Sequence, residues 1–122
     1  MMYVGRHIIA EVYQVPESLT TDSTALCKLL SDAAVKGGAE VLHTYFHDFK
    51  PKDGHEVAGV TGVIALAESH ISVHTWPEFG YMAIDVFMCG EADPLRVIEA
   101  LEDYGLTHID WKEISRPYEP KF

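Results

Sequence analysis

Between His70 and Cys89 the chain carries two strand-like segments, about His70 to Trp76 and Tyr81 to Cys89, joined by Pro77-Glu78-Phe79-Gly80. A four-residue connection with Pro at its start and Gly at its end suits a β-hairpin. Just upstream, Val60 to Ala67 is a continuous apolar run of the kind expected in a buried strand. Three strands in close succession leave no room for crossover helices, so they must pair antiparallel.

The flanking sequence supplies what covers such a sheet. Residues 7 to 15 read as a strand stopped by Pro16. From Thr20 or Thr21 onward, Ala25, Leu26, Leu29, Leu30, Ala33 and Ala34 recur at helical spacing, and Gly37-Gly38 supplies the stop. Val41 to Phe49 is a further strand, followed by a polar loop from Lys50 to about Gly59. Asp93-Pro94 is a good helix start, Leu95, Ile98 and Leu101 form the apolar stripe, and Gly105 ends it. Leu106 to Ser115 forms a last strand, with a loose tail from Arg116 to Phe122. The order βαβββαβ predicts an α+β fold, a two-layer sandwich of a mainly antiparallel sheet with two helices on one face. A chain of 122 residues suits a single domain.

Several partner classes fit poorly. The formal net charge of −10 repels phosphate backbones, which argues against nucleic acid. No apolar run approaches the ~20 residues of a membrane span. The N-terminus leads directly into strand-like sequence without a signal-peptide pattern, so a cytoplasmic protein is expected. The only cysteines are Cys27 and Cys89, too few for a disulfide framework; Cys27 falls in the first helical pattern and reads as core. His43, His47, His70 and His74 invite a metal hypothesis, yet no Cys-x-x-Cys or His-Glu-x-x-His spacing accompanies them, and no metal is expected.

The run Glu68-Ser69-His70-Ile71-Ser72-Val73-His74-Thr75-Trp76-Pro77-Glu78-Phe79-Gly80-Tyr81, continuing to Asp85 and Cys89-Gly90, resembles the self-cleavage segment of the prokaryotic S-adenosylmethionine decarboxylases. Gly5-Arg6-His7 with Glu11, and Phe46-His47-Asp48-Phe49, resemble the same family in order and spacing. The resemblance covers most of residues 5 to 105. It implies a proenzyme split between Glu68 and Ser69 into fragments 1–68 and 69–122. Ser69 would become a pyruvoyl group, the catalytic electrophile, with neither pyridoxal phosphate nor metal required.

The chemistry implied is coherent with these residue types. Decarboxylation of an amino acid needs a carbonyl that condenses with the substrate amine and accepts the electrons left by CO2. Processing needs the Ser69 hydroxyl to attack the preceding carbonyl, and then a base to remove the α-proton so that β-elimination frees the upstream chain. By resemblance, His74 is that base, an imidazole titrating in the neutral range. Thr61 stands where relatives carry a supporting Ser. Cys89 matches the proton donor for the carbon that loses CO2, a task a thiol can perform near neutral pH. Phe49 and Glu78 match residues that stack adenine and hold ribose hydroxyls.

Register offers a check that needs no relative. If residues 77 to 80 are the loop of a symmetric hairpin, Cys89 lies opposite Glu68 and beside Ser69. Ser69 and His74, however, stand roughly 16 Å apart on a straight strand at about 3.3 Å per residue. Either the chain bends after cleavage or a second subunit completes the site, and the family's paired assembly implies a homodimer or higher homo-oligomer. The substrate alternatives are S-adenosylmethionine and a basic amino acid such as arginine or ornithine. The second is raised by Asp48, where relatives often carry a basic residue, and by an apparent insertion at 52–57. A third reading is an unprocessed, non-catalytic partner subunit.

Overall fold

The computed structural model describes residues 2–121. Its elements are β1 (Met2–Tyr13), α1 (Glu17–Thr20), α2 (Ser23–Lys36), β2 (Val41–Asp48), β3 (Val60–Leu66), β4 (Ser69–Trp76), a one-turn 3-10 segment (Pro77–Phe79), β5 (Tyr81–Met88), α3 (Pro94–Tyr104) and β6 (His108–Tyr118). The six strands form one antiparallel sheet in the order β2-β3-β4-β5-β1-β6. The predicted α+β two-layer sandwich is what forms.

Two expectations are corrected. Instead of one helix starting at Thr20 or Thr21, a separate turn, α1, precedes α2. The break has a cause: the Thr20 carbonyl accepts a 2.7 Å hydrogen bond from the buried Thr75 hydroxyl, and Asp22 caps α2 through the amides of Thr24 and Ala25. Likewise Arg116 to Tyr118 belong to β6, paired with β1, where a loose tail was expected.

Strict alternation separates the two faces of the sheet. Ile8, Ala10 and Val12 of β1, Val60, Ile64 and Leu66 of β3, Ile71 and Val73 of β4, and Met82, Ile84, Val86 and Met88 of β5 point into one core. That core is closed by Leu26, Leu29, Leu30, Ala33 and Ala34 of α2 and by Val97, Ile98 and Leu101 of α3. Each fully buried aliphatic side chain contributes about 1.5–3 kcal/mol. The opposite face has no helix over it among the described residues. Its in-register rows run across the strands: His43–Ala65–His70–Phe87–His7–Ile114, then Tyr45–Val63–Ser72–Asp85–Ile9–Lys112, then His47–Thr61–His74–Ala83–Glu11–Asp110.

Candidate active site

The fold places the seven candidate residues in two groups, one at each end of β4. The first lies at the β3–β4 turn, where Leu66 pairs with Ser69 and only Ala67 and Glu68 form the loop. This turn is fixed from both sides. The Glu68 carboxylate accepts from the Glu40 amide at 2.9 Å, and the Ala67 amide donates to the Glu40 carbonyl at 2.9 Å. On the other side, the Glu68 carbonyl accepts from the Cys89 amide at 3.0 Å and from the Cys89 thiol at 2.9 Å. The Ser69 hydroxyl donates to the Cys89 sulfur at 3.7 Å. The hairpin register is the one anticipated, with Ser69 opposite Met88.

Ser69 itself is strained. Its φ is 146°, a region that L side chains avoid and that costs of order 1–3 kcal/mol to hold. Neighbouring strands on both sides over-determine the turn and hold Ser69 in this conformation, next to the Glu68-Ser69 bond.

The second group occupies a cleft of about 640 Å³ at the other end of β4, where Phe49, Thr61, His74 and Glu78 all line one space. Thr61 Oγ1 and His74 Nδ1 are 3.0 Å apart, which fixes the ring's orientation. The walls also include Trp76 and, from the loop after β2, Lys50, Lys52, Asp53, His55 and Val57. The apparent insertion at 52–57 therefore borders this cleft. Asp48 does not line it. The Asp48 carboxylate instead accepts from the amide (3.1 Å) and hydroxyl (2.6 Å) of Ser23, the first residue of α2. An anion at a helix N-terminus is favourably placed, and the motive for linking Asp48 to a basic substrate weakens.

Other features escaped the sequence reading. Trp76 packs on Tyr81 (5.3 Å between centroids), which stacks on Tyr13 (5.5 Å), making an aromatic row beside the second group. Burial first, then Glu11 and Tyr13, push the Tyr81 phenol up, so it stays protonated at neutral pH. At the first group's end, His7 Nε2 meets Asp85 at 3.0 Å, and His7 and His70 both approach Phe87 edge-on. Among the described residues no three His, Cys, Asp or Glu side chains gather as a metal site, and no helix is long and apolar enough to cross a membrane.

The sequence profile described as S-adenosylmethionine decarboxylase matches residues 6–117. The chain belongs to the S-adenosylmethionine decarboxylase family. Among curated relatives, the S-adenosylmethionine decarboxylase proenzyme of Acetivibrio thermocellus is 43% identical over 118 residues, covering 95% of this chain and 90% of that one. The proenzyme of Caldicellulosiruptor saccharolyticus is 40% identical with the same coverage. Among solved structures, the adenosylmethionine decarboxylase of Aquifex aeolicus superposes with a TM-score of 0.81 at 29% identity, covering 100% of this chain and 98% of the other. This S-adenosylmethionine decarboxylase family member thus shares both sequence and architecture with bacterial decarboxylases along nearly its full length.

Proposed function

We propose that the chain is a proenzyme that cuts itself between Glu68 and Ser69 and, through the pyruvoyl group left at position 69, removes CO2 from S-adenosylmethionine. The observation that carries this reading is the scissile turn. Its carbonyl already faces two donors, its serine hydroxyl is adjacent, and the serine is held at a strained φ.

In the first step Ser69 Oγ attacks the Glu68 carbonyl carbon, and the acyl group passes from nitrogen to oxygen. Negative charge gathers on the carbonyl oxygen in passing, where the Cys89 amide and thiol lie in position to stabilise it. Removal of the Ser69 α-proton by an imidazole then breaks the Cβ–Oγ bond and frees residues 1–68 with Glu68 as a carboxylate. Water enters and ammonia leaves to give the pyruvoyl group. That group supplies a carbonyl that condenses with the substrate amine and takes up the electron pair left by CO2. Cys89 delivers a proton to the carbon that has lost CO2. Phe49 stacks the adenine and Glu78 holds the ribose hydroxyls, with Trp76 alongside.

His74 serves this chemistry from a second copy. It lies about 16 Å along β4 from Ser69, and the Thr61–His74 pair stands on the uncovered sheet face. Two copies joined by that face in opposite directions bring the Thr61–His74 pair, Phe49 and Glu78 of one to the turn of the other. The product is decarboxylated S-adenosylmethionine, an aminopropyl donor for polyamine synthesis.

The test is direct. Mass spectrometry of purified protein resolves two fragments from the 13.6 kDa chain, and borohydride traps substrate on the larger-numbered fragment with S-adenosylmethionine but not with arginine or ornithine. A chain that stays whole on prolonged incubation, indistinguishable from Ser69→Ala, removes the proposal.

A further inference from the structure

We infer that Arg116 binds the substrate carboxylate that leaves as CO2; this rests on the reading of Cys89 as the proton donor at the substrate carbon. The carboxylate is bonded to that same carbon, so a group recognising it must stand near the Cys89 thiol on the open face.

The sheet register points to Arg116. Arg6 pairs with Met88, so the next position sets Gly5 opposite Cys89, and Gly5 pairs with Arg116 on β6. Continued one step past the paired residues, the register brings Glu68, Cys89, Gly5 and Arg116 to the same end of the sheet, with glycine as the member lacking a side chain. That gap is filled by the Phe87 ring. A Cβ on Gly5 would lie 2.4 Å from Phe87 Cε1, so only glycine lets the ring lie across β1. The Arg116 guanidinium carbon sits 4.5 Å above the ring centroid. The ring is therefore a floor between the thiol and the guanidinium.

The span suits a carboxylate. Two inter-strand steps separate β5 from β6, about 10 Å at the usual spacing, and an arginine side chain leaning inward covers more than half of it. Arg116 has no ion-pair partner among the described residues. The other basic side chains nearby are engaged: Arg6 with Glu113 and Asp93, and His7 Nε2 with the Asp85 carboxylate. A planar guanidinium with a free edge is the side chain that matches a carboxylate bidentately.

The sign of the kinetic effect distinguishes this role from packing. Negative charge leaves the carboxylate as CO2 forms, so an Arg116 contact is stronger in the bound substrate than in the transition state. Its removal raises KM without lowering kcat. The experiment compares wild type, Arg116→Ala and Arg116→Lys, each assayed for self-cleavage, for kcat and KM with S-adenosylmethionine, and for inhibition by the decarboxylated product, which lacks the carboxylate. For Arg116→Ala we expect normal self-cleavage, KM raised about 10- to 100-fold, kcat equal or higher, and product affinity unchanged. Arg116→Lys restores part of the loss.

A KM within twofold of wild type overturns the inference. So does a parallel loss of affinity for substrate and product, which marks a packing role over Phe87. If wild-type protein neither splits nor releases CO2 from S-adenosylmethionine, it is the underlying assignment that fails.

Discussion

The Cys89 sulfur stands 2.9 Å from the Glu68 carbonyl oxygen and 3.7 Å from the Ser69 hydroxyl, so one side chain touches both groups that react in the proposed self-cleavage. The Cys89 amide reaches the same oxygen at 3.0 Å, which leaves one donor in place when the thiol is removed.

Cys89→Ala should therefore still split, but about 10-fold more slowly, the loss expected of one hydrogen bond of roughly 1–1.5 kcal/mol. Turnover by the split variant should fall further, by about 10²- to 10⁴-fold, because the proposed proton donor is gone. Time-resolved mass spectrometry and CO2 release measure the two effects separately. Equal losses in both would separate the thiol from the chemistry.

Thr61 Oγ1 at 3.0 Å from His74 Nδ1 leaves Nε2 as the ring nitrogen available for proton transfer. Thr61→Ser should process like wild type, since it keeps the oxygen. Thr61→Val should slow processing by about 10-fold through loss of that hydrogen bond. Gel densitometry of freshly expressed protein is sufficient to read the difference.

A shared site has a genetic signature. Neither Ser69→Ala nor His74→Ala should split alone. Co-expressed, they should form mixed pairs in which the His74→Ala chain, with its intact Ser69, is cut by the partner's imidazole. Cleavage confined to that chain, and never passing about half of it under random pairing, is the expected result. No cleavage in mixed pairs whose formation is verified would place His74 and Ser69 within one protomer.

Thr75 is buried, and its hydroxyl accepts from the Val60 amide at 2.8 Å while donating to the Thr20 carbonyl at 2.7 Å. Gly59 packs against it so closely that a Cβ there would lie 2.2 Å from the Thr75 carbonyl oxygen. Thr75→Val keeps the shape but strands two buried polar groups, at about 1–3 kcal/mol each. A fall in Tm of roughly 10 °C follows for a domain of this size, readable by calorimetry.

The Arg6–Glu113 pair sets a pH dependence. Hydrogen bonds from Arg6 hold the Glu113 carboxyl below the ordinary glutamate range. Because the folded value is depressed, the stabilisation is complete above the unfolded value and is lost as pH falls through the folded one. Both side chains remain partly in water, so its size is on the order of 0.5 kcal/mol. Glu113→Gln should lower Tm by about 2 °C at pH 7 and by progressively less below pH 4.5, where the two proteins converge.

How much of this was legible in the sequence depended on distance along the chain. The Tyr81–Cys89 register followed from a four-residue connection, and so did the placement of Cys89 beside the proposed scissile bond. The helix starts at Asp22 and Asp93 reflect local capping chemistry, although the first was blurred because a one-turn helix such as α1 is too short to show periodicity. Arg116 to Tyr118 read as a tail because Pro117 cannot donate to a ladder; β6 is an edge strand, where a missing N–H is tolerated. The links that fix the Glu68 turn to Glu40, and the Phe87 ring to Gly5 and Arg116, join residues far apart in sequence, and no local pattern announces them.

The strand order has a consequence for a molecule cut at the proposed bond. Residues 1–68 keep β1, and residues 69–122 keep β5 and β6, between which β1 is inserted. The two products are interlaced like fingers of clasped hands, and neither can depart without unzipping a ladder on each side of β1. A cut at the proposed bond therefore breaks neither ladder of β1, and both halves are inherited by one working unit.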